Sequence, residues 1–266
     1  MKVTKAHAYG NDFLYVRAAE AGPGPHDALA RALCDRHTGI GADGLMLYTP
    51  TAQGASMRLL NADGSPSEVS GNGVRGLAAI LLRDTPGDAG EVVVTTVAGD
   101  KRLVRTGREG SHQIFRAAMG RPSDIRQLSL TAGGETLSVV ALNIGNPQCL
   151  VLGEIPGDER FARVGAALER HPAFPEGTNV EFVRVDAPDR VTIRIWERGV
   201  GPTLSSGTGS CGSLVAAAAF GGASRDALVV APGGAQRVEW RDDNVYLTGW
   251  AEILFDGVWL RSDSSR

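Results

Sequence analysis

Residues 197–212, ERGVGPTLSSGTGSCG, have a counterpart 136 positions earlier in residues 61–76, NADGSPSEVSGNGVRG. Each stretch follows an alternating, strand-like segment, crosses a loop rich in Gly and Pro, and enters a run of small residues through Ser-Gly-x-Gly. The neighbouring strand-like segments and Gly loops repeat as well, at displacements of 135 or 136. The repeat predicts two halves that fold alike.

The Ser-Gly-x-Gly of each half predicts the start of a helix, over about residues 72–82 and 208–220. Both segments consist almost entirely of small and apolar residues, which is typical of helices enclosed by the strands of their own half. We therefore predict an α+β fold of two pseudo-symmetric domains, each a curled mixed or antiparallel sheet around a central helix. We expect residues 1–120, joined by a terminal strand at 255–266, to form one half. Residues 121–254 would form the other, with the active-site cleft between the halves.

The composition is that of an ordinary globular protein, with 42% apolar residues, 21% charged residues and a net charge of −3. This charge leaves no basic surplus for binding nucleic acid or an anionic membrane. No segment reads as a signal peptide or a membrane span, and three cysteines do not make a disulfide framework. We expect a cytoplasmic protein that acts on a small molecule.

A Gly-rich turn that opens a helix presents unpaired N–H groups and the positive end of the helix dipole, which suit a carboxylate or phosphate. Two such turns related by a repeat indicate one shared anion site. Equivalent groups from two halves suit the inversion of a stereocentre, because one group removes a proton from one face while the other returns a proton to the opposite face. Ser70 and Ser206 occupy these positions.

Eight segments, spread in order along the chain, resemble those of diaminopimelate epimerase. They are YGNDF (9–13), DRHTGIGADG (35–44), NADGS (61–65), SGNGVR (70–75), GNP (145–147), NVEF (179–182), ERGVG (197–201) and VYLTG (245–249). The resemblance implies an isomerase without pyridoxal phosphate, metal or other cofactor. Its reaction would convert LL-diaminopimelate into meso-diaminopimelate by two-base 1,1-proton transfer, on the route to lysine and peptidoglycan precursors. It also implies a homodimer.

The resemblance further implies roles for individual residues. Those that would hold the distal amino-acid end of the substrate are Asn11, Asn61, Asn146, Asn179, Glu197 and Arg198. Those that would hold the reacting α-carboxylate are Gly71, Asn72, Gly207 and Thr208. The catalytic positions are Ser70, Ser206, Glu197 and Gln148.

Three of these catalytic positions depart from the family pattern, which has cysteine in place of Ser70 and Ser206 and histidine in place of Gln148. A thiol has a reference pKa of about 8.5, so it exchanges protons near neutrality, whereas a serine hydroxyl needs an adjacent base. Glu197 is the natural assistant of Ser206. The sequence indicates no titratable partner for Ser70, and Gln148 cannot take a proton.

Two alternatives therefore stay open. The chain could be an isomerase of another amino acid, since proline racemases and the phenazine-pathway isomerase share this fold and vary the proton-shuttling residues. It could also be a catalytically impaired homologue that still binds diaminopimelate. For Cys34, Cys149 and Cys211 we expect burial in the core rather than catalysis.

Overall fold

The computed structural model of the chain describes residues 1–67, 70–97, 99–242 and 244–260. The chain divides into two compact units, Met1–Ala117 with Trp250–Arg266, and Ala118–Gly249. These limits differ from the expected boundaries after residues 120 and 254, because each limit lies inside a long strand rather than at a turn. Residues 261–266, the end of the expected terminal strand, lie outside the described residues.

The first unit holds three helices and most of nine strands. The strands are β1 (Lys2–Ala8), β2 (Asn11–Arg17), β3 (Gly44–Thr51), β4 (Gly54–Asn61), β5 (Pro66–Ser67), β6 (Gly90–Thr96), β7 (Gly99–Glu109), β8 (His112–Gly120) and, in its C-terminal part, β17 (Asn244–Val258). The helices are α1 (Ala18–Ala21), α2 (His26–Cys34) and α3 (Gly71–Leu81). Strands β2 and β3 run parallel, as do β4 and β6, and hairpins join β1 to β2 and β3 to β4.

The second unit repeats this order. Its strands are β9 (Ser123–Ala132), β10 (Glu135–Asn143), β11 (Pro147–Leu152), β12 (Asn179–Ala187), β13 (Arg190–Glu197), β14 (Gly201–Thr203), β15 (Asp226–Ala231), β16 (Gly234–Arg241) and the N-terminal part of β17. Its helices are α4 (Asp158–Glu169) and α5 (Gly207–Phe220). The parallel pairs recur as β11 with β12 and β13 with β15.

Each sheet is mixed and curls around one helix. Helix α3 packs on β1, β2, β6 and β7, and α5 packs on six strands from β10 to β16. Leu77 of α3 and Leu214 of α5 are fully buried in the cores that result. The opposite face of each sheet is covered by α2 or α4, through Leu33 and Val164 respectively. The predicted fold class is therefore confirmed.

The two central helices begin one residue earlier than predicted and end within one residue of the predicted ends. The prediction was close because the apolar run and the preceding Ser-Gly are strong local signals for a helix and its start. Among the described residues, no helix combines the length and the apolar character needed to cross a membrane.

Candidate active site

The two serines of the repeated motif cap the two central helices. Ser70 precedes α3 and Ser206 precedes α5, both with extended backbone. The Ser70 hydroxyl accepts a hydrogen bond of 3.2 Å from the Gly73 N–H, and the Ser206 hydroxyl accepts one of 3.2 Å from the Gly209 N–H. Such a bond satisfies one of the N–H groups that a helix leaves unpaired at its start.

Neither helix carries an acidic residue in its first turn. Gly71 and Asn72 open α3, and Gly207 and Thr208 open α5. The positive end of the helix dipole at each helix start thus suits a carboxylate. Asn72 is buried, and its Oδ1 accepts a hydrogen bond of 3.2 Å from Arg75 one turn along α3.

In the second unit, Ser206 lies beside the half-buried carboxyl group of Glu197, the last residue of β13. Loss of hydration raises the pKa of Glu197, while a hydrogen bond with the Ser206 hydroxyl acts in the opposite direction. A carboxyl group with a raised pKa in contact with a hydroxyl can accept a proton from it and return one. The structure thus brings Glu197 into contact with Ser206, and the catalytic role of the pair stays a prediction.

The predicted residues around Gln148 form one hydrogen-bonded group. Gln148 is fully buried, and its Nε2 donates to Asn146 Oδ1 at 2.6 Å. The Asn146 Nδ2 lies 3.4 Å from Thr208 Oγ1 at the start of α5. Asn179 Oδ1 accepts a hydrogen bond of 2.9 Å from the backbone N–H of Arg198. The Arg198 guanidinium is held in turn by the Glu176 carbonyl at 3.1 Å.

Glu181 belongs to this group, although sequence reasoning gave it no role. Its side chain is fully buried on β12, next to Gln148 on the parallel strand β11. Burial, followed by the negative charge of Glu197, raises the pKa of Glu181 well above its usual range. The available signal was a lone acid within the otherwise apolar segment VEFV, at residues 180–183.

The displacement of 136 that fits most of the repeat pairs Glu181 with Leu45, so the repeat gives no indication of its role. Leu45 lies in the core on the outer side of its sheet, against α2. Glu181 instead faces α5, as Met46 faces α3: both side chains border a glycine of the helix start, Gly209 and Gly73 respectively. Equivalent positions in β3 and β12 are therefore 135 residues apart, not 136. This difference of one residue matters because successive side chains of a strand point to opposite faces of the sheet.

In the first unit, Ser70 lies next to the side-chain amide of Asn11. Its hydroxyl is 3.4 Å from Asn11 Oδ1, and Asn11 Nδ2 donates to Asp43 Oδ2 at 2.8 Å. Asn11 begins β2, directly after the two-residue turn that joins this strand to β1. The Asn11 amide therefore links Ser70 to the carboxyl group of Asp43, a connection that the sequence did not indicate.

Asp43 is held by a charged cluster. Arg36 bonds both Asp43, at 2.9 Å, and Asp12, at 2.7 Å, while Lys5 pairs with Asp12 at 2.8 Å. Burial opposes the ionisation of Asp12, but the hydrogen bonds from Arg36 and Lys5 outweigh it and lower the pKa of Asp12. The cluster thus holds the Asp43 carboxyl group beneath the turn that carries Asn11.

Asn61 behaves differently from the other predicted binding residues. It is exposed at the end of β4, and its Nδ2 donates to Ser65 Oγ at 2.9 Å within its own loop. The structure gives it a part in shaping that loop. Its predicted contact with a substrate stays a prediction.

All three cysteines are free and buried, as predicted. Cys34, Cys149 and Cys211 each lie in a hydrophobic core. Burial raises the pKa of Cys34 to about 12 and shifts that of Cys149 upward as well. Neither helix start therefore has a thiol of the kind that the resemblance would place there.

Comparisons with known proteins agree with this arrangement. Residues 3–124 and 140–254 match the diaminopimelate epimerase family. The diaminopimelate epimerase of Desulforudis audaxviator is 41% identical over 281 aligned positions, covering 98% of this chain and 100% of that protein. That of Desulfitobacterium hafniense is 37% identical and covers 98% of both.

Solved structures show the same fold at low sequence identity. A probable proline racemase from Agrobacterium radiobacter is 18% identical, with a TM-score of 0.72 over 99% of this chain and 94% of that one. A predicted epimerase from Pseudomonas aeruginosa is 17% identical, with a TM-score of 0.74 over 98% and 99% of the two chains. The family match and the full-length relatives at 41% and 37% identity show that the chain belongs to the diaminopimelate epimerase family and is an isomerase.

Proposed function

We propose that the protein interconverts LL- and meso-diaminopimelate by removing the α-proton from one face of the carbon and returning a proton to the other. The observation that carries this proposal is the serine at the start of the central helix in each half. Family membership supplies the substrate class. In this proposal no pyridoxal phosphate or metal takes part, and Ser70 and Ser206 act on the same carbon.

On the Ser206 side, Glu197 is the base. When the Ser206 hydroxyl accepts the proton from the α-carbon, it passes its own proton to the Glu197 carboxylate that it contacts. The raised pKa of Glu197 brings it closer to neutrality, where a general acid or base works best. In the reverse direction, the same pair delivers a proton to the carbanion.

On the Ser70 side, the hydroxyl is oriented by Asn11 Oδ1, and Asp43 fixes the Asn11 amide. Ser70 gives its proton to the carbanion and is left as an alkoxide that water reprotonates; in the reverse direction, its hydroxyl passes its own proton to water as it receives one from the carbon. Since it is only partly buried, water can restore its protonation state. Among the described residues, no carboxylate bonds Ser70 directly, which makes this the weaker of the two acid–base groups.

The two helix starts would hold the reacting α-carboxylate through the N–H groups of Gly71, Asn72, Gly207 and Thr208. Hydrogen-bond donors that are already aligned stabilise the negative charge of the carbanion as it develops. The residues proposed for the distal end of the substrate are Asn11, Asn61, Asn146, Asn179, Glu197 and Arg198. Arg198 fits a distal carboxylate because its exposed guanidinium has further N–H donors.

A role in the synthesis of lysine and peptidoglycan precursors, a cytoplasmic location and a homodimeric state all belong to this proposal. The name of the related enzymes supports the first of them. The other two rest on the sequence-based expectation alone.

The test is to incubate the purified protein with LL-diaminopimelate and to separate the stereoisomers by chiral chromatography over time. We expect meso-diaminopimelate to form in wild type and to fall at least about a hundredfold in Ser206→Ala and Glu197→Gln, because general acid–base catalysis contributes that much. Proline and hydroxyproline serve as control substrates. Turnover of either, with none of diaminopimelate, would assign the protein to another isomerase. Binding of diaminopimelate without turnover would make it a binding protein.

A further inference from the structure

A fully buried glutamate lies beneath the start of helix α5 without a part in the proposed proton transfer. The carboxyl oxygens of Glu181 lie 3.0 Å from one end of the Gln148 amide. The other end of that amide lies 2.6 Å from Asn146 Oδ1 and 3.2 Å from Asn179 Nδ2. The three amides and the acid form a continuous chain that leads to Thr208 at the helix start.

The helix start is shaped to admit this carboxyl group. A Cβ atom at Gly209 would lie 2.5 Å from Glu181 Oε1 and 3.1 Å from the Ser206 Cβ. Only a glycine therefore leaves room for the acid at this position. Glu181 is thus enclosed by β11, β12 and the first turn of α5, immediately below the proposed site.

The direction of the Gln148 amide depends on whether Glu181 carries a proton. A neutral Glu181 donates its proton to Gln148 Oε1, and Gln148 Nε2 then donates to Asn146 Oδ1, although it also faces the donor Asn179 Nδ2 at 3.2 Å. An ionised Glu181 can only accept, so Gln148 must turn its Nε2 toward Glu181 and its Oε1 toward Asn146 and Asn179. Gln148 Oε1 and Asn146 Oδ1 would then face each other at 2.6 Å, and this repulsion forces the Asn146 amide to turn as well.

The direction of the Asn146 amide decides what it offers next to the helix start. With Glu181 neutral, Asn146 Nδ2 points toward Thr208 and is a donor. With Glu181 ionised, Asn146 Oδ1 takes that place and is an acceptor. A substrate carboxylate binds the first form and is repelled by the second.

We propose that Glu181 is a positioning residue, whose proton sets the direction of the Gln148 and Asn146 amides and so favours binding of a substrate carboxylate. This inference deepens the proposed function, because it rests on Asn146 as a substrate-binding residue. Among the described residues, the titratable group that acts on Glu181 is Glu197 from β13; Cys149 of β11 lies on the opposite face of the sheet, and the α5 start adds the uncharged Ser206. The negative charge of Glu197 favours the protonated form of Glu181.

The first experiment needs no substrate. Protein labelled with ¹⁵N in the Asn and Gln side chains is titrated, and the amide signals of Gln148 and Asn146 are identified from Gln148→Leu and Asn146→Ala. In wild type, we expect the two signals to shift together with one midpoint as the pH rises. In Glu181→Gln, whose amide N–H replaces the proton donor, we expect no such shift. An unchanged midpoint in Glu181→Gln, or no shared shift in wild type, overturns the proposal.

Glu239→Gln is the matched control, since Glu239 is a buried glutamate of the same unit that pairs with Arg241 on β16. We expect this variant to titrate like wild type. If Glu181→Gln does not fold, Gly209→Ala replaces it, because its methyl group occupies the position of the Glu181 carboxyl group. Gly209→Ala should abolish the shared midpoint, and retention of the midpoint in a folded Gly209→Ala protein counts against the proposal.

The second experiment measures the affinity for diaminopimelate by calorimetry across the same pH range. In wild type, we expect the dissociation constant to rise about tenfold through the NMR midpoint, since a hydrogen bond to a charged group is lost. In Glu181→Gln the affinity should not change there. A flat wild-type profile with shifting amides refutes the effect on the substrate. No binding at any pH, with shifting amides, removes diaminopimelate as substrate while leaving the amide switch in place.

Discussion

The serines at the two helix starts combine two physical roles at the residue scale. Each accepts a hydrogen bond from the third residue of its helix, and each presents a hydroxyl at the place proposed for proton transfer. A thiol is a weak hydrogen-bond acceptor, so cysteine caps a helix less well than serine. These helix starts thus favour stability over the acidity that a thiol would provide.

The two serine caps should make a measurable contribution to the stability of the fold. Ser70→Ala and Ser206→Ala should each lower the free energy of unfolding by about 1 kcal/mol, because the Gly73 or Gly209 N–H loses its acceptor. Urea denaturation of each variant measures this. Ser70→Thr and Ser206→Thr keep a hydroxyl and serve as controls. If both alanine variants match wild type, the caps do not stabilise the helices.

The buried Glu181 predicts a particular dependence of stability on pH. Its pKa is raised in the folded protein by burial, with a further contribution from Glu197. A raised pKa stabilises the fold fully below the unfolded value of about 4.3, and the stabilisation is lost as the pH rises toward the folded value. Glu181→Gln should therefore gain stability relative to wild type with rising pH, by up to about 1.4 kcal/mol per pH unit.

Glu135→Gln provides a control of opposite sign. Hydrogen bonds from Arg160 lower the pKa of Glu135, so its stabilisation is present above the unfolded pKa and is lost as the pH falls. Denaturation at a series of pH values measures both variants. If Glu181→Gln follows the wild-type profile, Glu181 is already ionised at low pH.

Ser70, Ser206 and Glu197 could be located from the sequence because each lies within a motif that occurs twice or extends over several residues. Asp43 and Glu181 could not be given their roles in the same way. The link from Asp43 to Ser70 passes through the side chain of Asn11, on a different strand. The position of Glu181 depends on a one-residue difference in register between the halves, which the sequence repeat does not resolve.

At the scale of elements, the end of helix α3 depends on one arginine. Arg105 on β7 is buried, and its guanidinium donates to the carbonyls of Leu82, Thr85 and Gly87 at 2.6, 3.0 and 3.0 Å. It also donates to Gln113 Oε1 at 3.0 Å. These bonds satisfy carbonyl groups at the end of the helix and in the loop that follows.

Loss of the Arg105 side chain should strongly destabilise the fold. Arg105→Leu should lower the free energy of unfolding by about 3 kcal/mol or more, since the buried Leu82 carbonyl and Gln113 Oε1 lose their donor along with the half-buried loop carbonyls. Arg102 on the same strand is exposed and pairs with Glu91 at 2.7 Å. Arg102→Leu should leave the stability nearly unchanged. Thermal and urea unfolding of the two variants test this, and equal losses would contradict it.

The helices and strands of the fold could be predicted because their signals are local: small-residue runs after Ser-Gly, alternating strands and Gly turns. The role of Arg105 could not, because an arginine in an alternating strand looks like an ordinary exposed residue. Only the packing of β7 beside the end of α3 shows where its side chain lies.

At the scale of the whole molecule, the two units share one order of strands and helices but differ in their chemistry. Each repeats two parallel strand pairs around a serine-capped helix. Ser206 has a carboxyl group in contact, whereas Ser70 is linked to the Asp43 carboxyl group through the Asn11 amide. In the proposed mechanism, two similar halves would thus supply two unequal acid–base groups, which would suit a reaction whose two directions start from different stereoisomers.

The most direct test of this account follows the α-hydrogen in deuterium oxide. LL-diaminopimelate is incubated with the protein, and NMR and mass spectrometry are applied to substrate and product at low conversion. If two separate groups transfer the protons, meso-diaminopimelate should carry deuterium at the inverted carbon while the recovered LL isomer stays unlabelled. Deuterium appearing in the recovered substrate as fast as in the product, or in neither, would contradict the two-base mechanism.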